Sequence, residues 1–342
     1  MLLQDMPRRW ARRCLAIPRF CRQTLEVELK NSRLIIAYST GLDSTALLHI
    51  FHALAPQLNL ELIVAHAHHG LRPQSDQELI HAQKICAQLN IPCETAHLQV
   101  LHEENRWDHG LEDYARQLRY AFLQKIRDKY QAHWIVTAHH GDDLAEDIIM
   151  RLIRGTGWPG LGGMVGKDEQ RQLLRPLLDW KKTELHALAQ DLGLSWHEDL
   201  SNTSLDLTRN RVRHQIMPLI AQENPSFTQA SLRLWHMARI DEAYWEAMVS
   251  KIQPGETIFL ERKMLQAAHP ALRLRLFKRA LDTLGPGQVL ADQLFLVEQC
   301  WQDQAWGKTI QFSGHKICRI EQKGITISPK NRPSSKTHLD LA

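Results

Sequence analysis

Six consecutive residues, Ser39, Thr40, Gly41, Leu42, Asp43 and Ser44, combine three hydroxyl side chains, one glycine and one carboxylate. They follow an apolar run, RLIIAY at 33–38, and precede a second, TALLHIFHAL, whose apolar residues recur at helical spacing. They therefore form a strand-to-helix turn. The first N–H groups of a helix have no intrahelical acceptor, and such a turn suits a phosphate. Ser39 and Ser44 add hydroxyl donors, and Gly41 lets the backbone come close to a ligand. Asp43 would repel a phosphate unless a Mg2+ ion lies between them, which makes Asp43 the expected metal ligand. The plainer reading has Ser44 capping a helix that begins near it and Asp43 favouring the first turn.

A second set, TAHHGDDLAED at 137–147, lies at the end of a later apolar run. Asp142, Asp143 and Glu146 are about one helical turn apart, so Asp142/Glu146 and Asp143/Glu146 share a face. Carboxylates so placed hold Mg2+ or an ammonium group; alone, they also fit an acidic helix start favoured by the macrodipole. His66, His68, His69, His139 and His140 fall at strand ends, and imidazole with carboxylate is also a zinc set. The third set joins Asp199 and Asn202 to Arg209, Arg211 and Arg213. Arg209 and Arg213 are four apart on a helix, with Arg211 offset. Phosphate contacts and a solvated basic face both fit them.

These residues need a frame that gathers strand ends. Apolar runs at 33–38, 61–67, 93–100, 133–138 and 172–177 read as strands. They alternate with helical patterns at 44–56, 75–90, 111–129 and 142–154, the first ending before Pro56. The alternation predicts an α/β fold, a parallel sheet with helices on both faces, whose ligands bind beyond the C-terminal strand ends. The pattern changes after Pro218, and a boundary is expected at Glu223–Ser226. Beyond it come helices at 226–249, 271–284 and 291–303 and short strands near the end, so a smaller, mainly helical C-terminal domain is expected. Arg233, Arg239, Arg273, Arg275, Lys278 and Arg279 on those helices suit a phosphate backbone. The last residues, 330–342, are polar.

The 342 residues suffice for two domains, and no apolar run approaches the roughly 20 residues that span a bilayer. A net charge of +4 permits a nucleic-acid partner without demanding one. The six cysteines form no C-x-x-C pair and read as reduced thiols of a cytoplasmic protein. The Arg-rich N-terminus reads as a basic first helix rather than a secretory signal.

The order of motifs then becomes informative. STGLDS resembles the SGGxDS loop of the N-type ATP pyrophosphatases, the PP-loop superfamily. HHGLRPQSD, LEDYARQLRYAFL, TAHHGDDLAEDIIMRLIRGTG, LLRPLLDWKKTEL, WHEDLSN and RNRVRHQIMPLI follow in the order of the tRNA(Ile)-lysidine synthetase family. The resemblance implies an ATP- and Mg2+-dependent ligase. ATP adenylates the wobble cytidine of a CAU-anticodon tRNA(Ile), releasing pyrophosphate. Free L-lysine then displaces AMP to give lysidine. It implies ATP binding by residues 39–44, Mg2+ on Asp43, and lysine near Asp143 and Glu146. Arg116, Arg119, Arg209 and Arg211 are implied for phosphates or the lysine carboxylate. The implied organisation is a basic N-terminal extension (1–32), a PP-loop catalytic domain (33–222), a C-terminal tRNA-binding domain (223–329) and a polar tail (330–342). No membrane partner is implied, and a homodimer is left open.

Two positions depart from the family pattern. Thr40 replaces a glycine, and a β-branched residue disfavours positive φ. Asp147 replaces a threonine. A PP-loop tRNA thiolase is the nearest rival reading, but no cysteine lies in the matched motifs. A zinc hydrolase and a non-catalytic tRNA-binding homologue are the others.

Overall fold

Strand β1 (Arg33–Ala37) carries Leu34, Ile35 and Ile36, all fully buried, as expected for a parallel strand covered on both faces. In the computed structural model it pairs in parallel with β2 (Glu61–His68) and with β4 (Trp134–Val136). The sheet adds β3 (Cys93–His97), β5 (Lys167–Asp168) and β6 (Leu173–Leu174) in the order β3-β2-β1-β4-β6-β5. Only β5, at the edge, runs antiparallel, and it was not expected. The structure describes residues 2–68, 74–98, 111–197, 207–249, 252 and 257–330.

Helices cover both faces. On one lie α1 (Arg8–Thr24), α2 (Leu42–Leu58), α3 (Gln74–Leu89), α5 (Gly141–Ile153) and α6 (Lys182–Asp191), which share a core with Leu34 and Ile36. On the other, Phe122, Leu123 and Ile126 of α4 (Leu111–Tyr130) pack on Ile35, Ile63 and Ile135. Helix α1 is no loose extension. Its Trp10, Cys14, Ile17 and Cys21 are buried in the core, and Arg13 bonds Asp179 (2.9 Å) and Glu184 (3.1 Å) while lying over the Trp180 ring. Helix α2 also differs from expectation. It starts at Leu42 and continues through Pro56 to a left-handed cap at Asn59. A proline this near the end costs one hydrogen bond, and Leu58 still reaches the core.

The chain divides into two compact units, Met1–Thr156 with Gly160–His236, and Gly157–Pro159 with Met237–Ala342. The division falls inside α9 (Phe227–Val249) rather than at Glu223–Ser226. The reason is Trp235, which is buried in the first unit, lies 6.5 Å from the Phe20 ring in a tilted contact and donates to the Met164 carbonyl (2.8 Å). The first unit also contains α7 (Thr208–Arg211), a π-helical turn (Val212–Ile216) and α8 (Met217–Glu223).

The second unit is more than helical. Besides α10 (Arg262–Ala267), α11 (Pro270–Thr283) and α12 (Ala291–Gln302), it holds an antiparallel sheet. This sheet joins β7 (Ile258–Glu261), β8 (Thr309–Phe312), β9 (Lys316–Glu321) and β10 (Gly324–Pro329) in the order β7-β10-β9-β8. Arg273, expected to face phosphates, is instead buried and paired with Glu298 (Nε–Oε2 2.9 Å), and it also donates to the Leu265 and Ala268 carbonyls. Lys278 pairs with Asp282, and Arg239 with Glu242. The polar tail beyond Lys330 lies outside the described residues.

Lys316 is a further buried cation of this unit. Its Nζ donates to the carbonyls of Leu281 and Gly285 at 3.0 Å and of Gly287 at 3.3 Å, at and beyond the C-terminal end of α11. Lys316→Met should leave buried acceptors unpaired at a cost of about 3 kcal/mol. Hydrogen exchange of peptides spanning β8–β10 in the full chain should then speed up by roughly a hundredfold. Unchanged exchange there would show that the three carbonyls do not depend on the ammonium.

Candidate active site

The turn at the end of β1 is built from its own side chains. Gly41, not Ser44, is the N-cap of α2, with extended backbone. Ser44 lies inside the first turn, where its Oγ donates to the Gly41 carbonyl (3.0 Å), accepts from Ser39 N–H (3.1 Å) and lies 3.1 Å from Ser39 Oγ. The capping role that the plainer reading gives Ser44 is therefore absent, and its hydroxyl closes the loop instead. Thr40 is fully buried at φ +63°. Its carbonyl accepts from His197 N–H (2.9 Å), and its hydroxyl donates to the Ser39 carbonyl (2.6 Å). That hydroxyl is committed to the backbone and is not offered to a phosphate.

Asp43 projects from the first turn of α2. Its Oδ1 is buried and has no hydrogen-bond partner, and its Oδ2 lies 3.6 Å from His140 Nε2. An enclosed, unpaired carboxylate oxygen beside free helix N–H groups suits a hard divalent cation bridging to phosphate, so the residues present fit Mg2+.

His140 is the hub of the site. It is buried at the N-cap of α5. Nε2 lies 3.4 Å from Asp143 and Nδ1 3.6 Å from Asp142, in addition to Asp43. Burial pulls its pKa down, but Asp143, Asp43 and Asp142 together hold it above the ordinary value. Asp142 also accepts from Lys182 N–H (2.7 Å) at the start of α6 and from Thr228 (3.2 Å). Gly141 permits this close approach, since a Cβ there would meet the Trp180 carbonyl at 3.0 Å and Thr228 at 2.9 Å.

Asp143 and Glu146 are buried together, as their spacing predicts. Two guanidiniums grip them. Arg209 reaches Asp143 (2.8 Å) and Glu146 (3.3 Å); Arg213 reaches Asp143 (3.1 Å) and both oxygens of Glu146 (2.7 and 2.8 Å). Burial would raise the Asp143 pKa, but His140, His139 and Arg209 hold it well below the usual carboxylate range. Arg211, expected at the site, is exposed and donates to Thr208 (3.0 Å). It is offset on the helix, whereas Arg213, in the π-helical turn, is the residue brought in.

Arg116 and Arg119 lie over Tyr120 on α4, at 5.2 and 5.8 Å from the ring. Beside them the buried Arg175, which sequence reasoning did not single out, donates to the Val165 carbonyl (2.6 Å). Desolvation lowers its pKa, with Tyr120 and Asp168 opposing. His69, Asp199 and Asn202, and the side chain of His68, lie outside the described residues. His66 bonds the Tyr38 carbonyl (3.0 Å). Among the described residues no group of three His, Cys, Asp or Glu side chains has the arrangement of a closed metal site, although Asp43, Asp142 and Asp143 gather around His140 at 3.4–3.6 Å. None of the six cysteines lies on α2 or α5: Cys14 and Cys21 are on α1, Cys86 on α3, Cys93 on β3, Cys300 on α12 and Cys318 on β9.

A nucleotide-type turn facing buried, charge-paired carboxylates at the ends of parallel strands defines a PP-loop site. The PP-loop domain model matches residues 17–220. The tRNA(Ile)-lysidine synthase of Nitratidesulfovibrio vulgaris is 39% identical over 322 residues, covering 88% of this chain and 93% of that protein. That of Thermotoga sp. is 36% identical over 314 residues, covering 86% and 74%. In fold, the chain is similar to the U34-tRNA thiolase NcsA of Methanococcus maripaludis, with a TM-score of 0.53 at 19% identity over 70% of this chain and 80% of that one. The chain belongs to the tRNA(Ile)-lysidine synthase family of PP-loop ligases, and as such it uses ATP.

The site also predicts a pH dependence of stability. Burial, then Arg175, pushes His139 down to about 3. Neutral His139 is bound in the folded chain while the unfolded chain takes a proton below about pH 6.5. Its contribution is thus fully present above pH 6.5 and is lost as pH falls toward 3. His139→Gln should flatten the urea-stability profile between pH 6 and 4 by up to about 1.4 kcal/mol per pH unit. An unchanged slope would mean that His139 titrates normally.

Proposed function

We propose that the chain joins free lysine to the wobble cytidine of a CAU-anticodon tRNA(Ile). The cytidine 2-carbonyl oxygen attacks the α-phosphorus of ATP and pyrophosphate leaves. The lysine ε-amine then attacks C2, AMP leaves and one proton is released. The observation that carries this reading is the contact between the two halves of the site: Asp43 of the nucleotide turn and Asp143 of the acidic pair both face His140.

Each residue has work that suits its surroundings. N–H groups of the α2 start hold phosphate oxygens, and the Ser39 and Ser44 hydroxyls hold the loop that presents them in shape. Asp43 would hold Mg2+, which when bound neutralises phosphate charge. Asp143, kept ionised, suits holding an ammonium rather than taking its proton. Glu146 shares the ammonium. Arg209, the more exposed of the two guanidiniums at 32% against 24%, is the one to turn toward the lysine carboxylate or a phosphate. Arg116 and Arg119, on the neighbouring helix, serve the same anions. The second unit serves to bind tRNA, through residues other than the buried Arg273. No helix among the described residues is long and apolar enough to cross a membrane.

The direct test is lysidine formation from tRNA(Ile), ATP and lysine by the full chain, read by mass spectrometry of the nucleosides. Absence of product under conditions where ATP binds would refute the reading. Asp43→Ala should keep the fold and cut AMP release by at least a hundredfold. Asp143→Asn and Glu146→Gln should raise the KM for lysine at least tenfold more than that for ATP; equal effects on both would assign the pair to metal instead. Thr40→Gly should change the KM for ATP by less than about threefold. The strain at φ +63°, about 1–3 kcal/mol, is enforced by packing and by His197, so it weighs on folding rather than on ATP. A tenfold or larger improvement would show that the turn is strained against its nucleotide.

A further inference from the structure

Helix α1 carries a charge pattern that nothing in the site uses. The first 25 residues contain six arginines against one acid, Asp5, an excess larger than the net +4 of the whole chain. Arg9 and Arg13 are taken up by Asp191, Asp179 and Glu184. The other four, Arg8, Arg12, Arg19 and Arg22, are exposed and form no ion pair among the described residues. With Leu15, 43% exposed, they recur at intervals of four, three, four and three residues. That spacing places all five on one face, a stripe about 21 Å long at 1.5 Å per residue. No acidic residue lies on the helix.

The opposite face decides what such a stripe can meet. Trp10, Cys14, Ile17 and Cys21 are committed to the core, so this basic amphipathic helix has no apolar face left to enter a membrane. Exposed guanidiniums four, seven and three residues apart on one face, on a helix with no carboxylate of its own, fit a phosphate backbone. The stripe is also placed to guide one. Arg9 meets Asp191 at the last residue of α6, whereas Arg13 meets Glu184 in its first turn. Helix α1 therefore runs alongside α6 in the opposite sense, toward the end where Lys182 N–H bonds Asp142 of the site. Arg8 and Arg12 precede the residues matched by the PP-loop domain model, so half of the stripe lies outside that shared domain.

We propose that the exposed face of α1 is an RNA-binding rail, in which Arg8, Arg12, Arg19 and Arg22 hold tRNA phosphates beside the active site. This rests on the reading that the substrate is tRNA. The test is the salt dependence of binding of full-length protein to a tRNA(Ile) transcript, by fluorescence anisotropy from about 50 to about 300 mM salt. Replacing all four arginines by glutamine should make the slope of log affinity against log salt shallower by about 2–4, at roughly 0.7–0.9 for each phosphate no longer neutralised. Affinity near physiological salt should fall at least tenfold. The four Arg→Lys changes together should restore most of the slope, because the term is one of charge. Melting temperature and binding of a fluorescent ATP analogue should not move in either variant.

Tight tRNA binding by wild type with an unchanged slope in the glutamine variant would overturn the rail and leave the proposed function standing. No tRNA binding by wild type would overturn both. Binding of wild type, but not of the glutamine variant, to phosphatidylserine vesicles with RNA binding unaffected would reassign the face to a membrane.

Discussion

Everything around the site follows from the need to pair four carboxylates that the fold takes partly or wholly out of water. Asp43, Asp142, Asp143 and Glu146 converge within reach of one imidazole and two guanidiniums. An unpaired buried charge costs several kcal/mol, so each carboxylate recruits an element. Asp142 draws the start of α6 and the first turn of α9 toward α5 through Lys182 N–H and Thr228. Asp143 and Glu146 draw in α7 and the π-helical turn through Arg209 and Arg213. Asp43 ties α2 to α5 through His140. The apolar core sets the helices that flank the candidate site, and the charges that would do its chemistry tie their ends together.

Thr40 shows how the same packing tolerates a locally unfavourable residue. A β-branched side chain at φ +63° is strained, yet it is completely buried and its carbonyl is held by His197 N–H. Gly41, next to it, has ordinary extended backbone, and a Cβ there would make only an ordinary contact with Ser39 Oγ at 3.6 Å. The glycine of this loop is therefore free of conformational demand, while the position that does demand positive φ is occupied by threonine. Function can survive this arrangement because the stability of the surrounding unit, not the ligand, holds the turn in shape.

Much of this was legible in the chain. Strands buried on both faces read as unbroken apolar runs, and Leu34–Ile36 announced the central one. The pairing of Asp143 with Glu146 followed from helical spacing, and so did that of Arg209 with Arg213. Preferring Arg211 over Arg213 meant following motif likeness where spacing pointed the other way. Other features had no local signal. Strand β7 is four residues long and becomes a strand only through β10. Arg273 sits on a helix like any surface arginine until Glu298, 25 residues away in sequence, claims it. His140 looked like one of several strand-end histidines, because its three carboxylate neighbours come from two elements that only the fold brings together.

The pairing of Asp143 and Glu146 with arginines bears on how an amine would be selected. Two carboxylates one turn apart in a buried setting would by themselves share a proton, since like charges disfavour joint ionisation. The guanidiniums remove that tendency, and Asp143 is held well below the usual carboxylate range. An arriving ammonium would therefore meet an ionised Asp143, but it must exchange with a guanidinium rather than fill an unpaired site. Exchange is favourable only if the displaced arginine finds another anion nearby. A ligand that brings its own carboxylate, as free lysine does, supplies both halves of the exchange, whereas a simple alkylamine leaves a guanidinium unpaired. On the proposed reaction with lysine, discrimination against amines without a carboxylate would come from the protein's own charge balance.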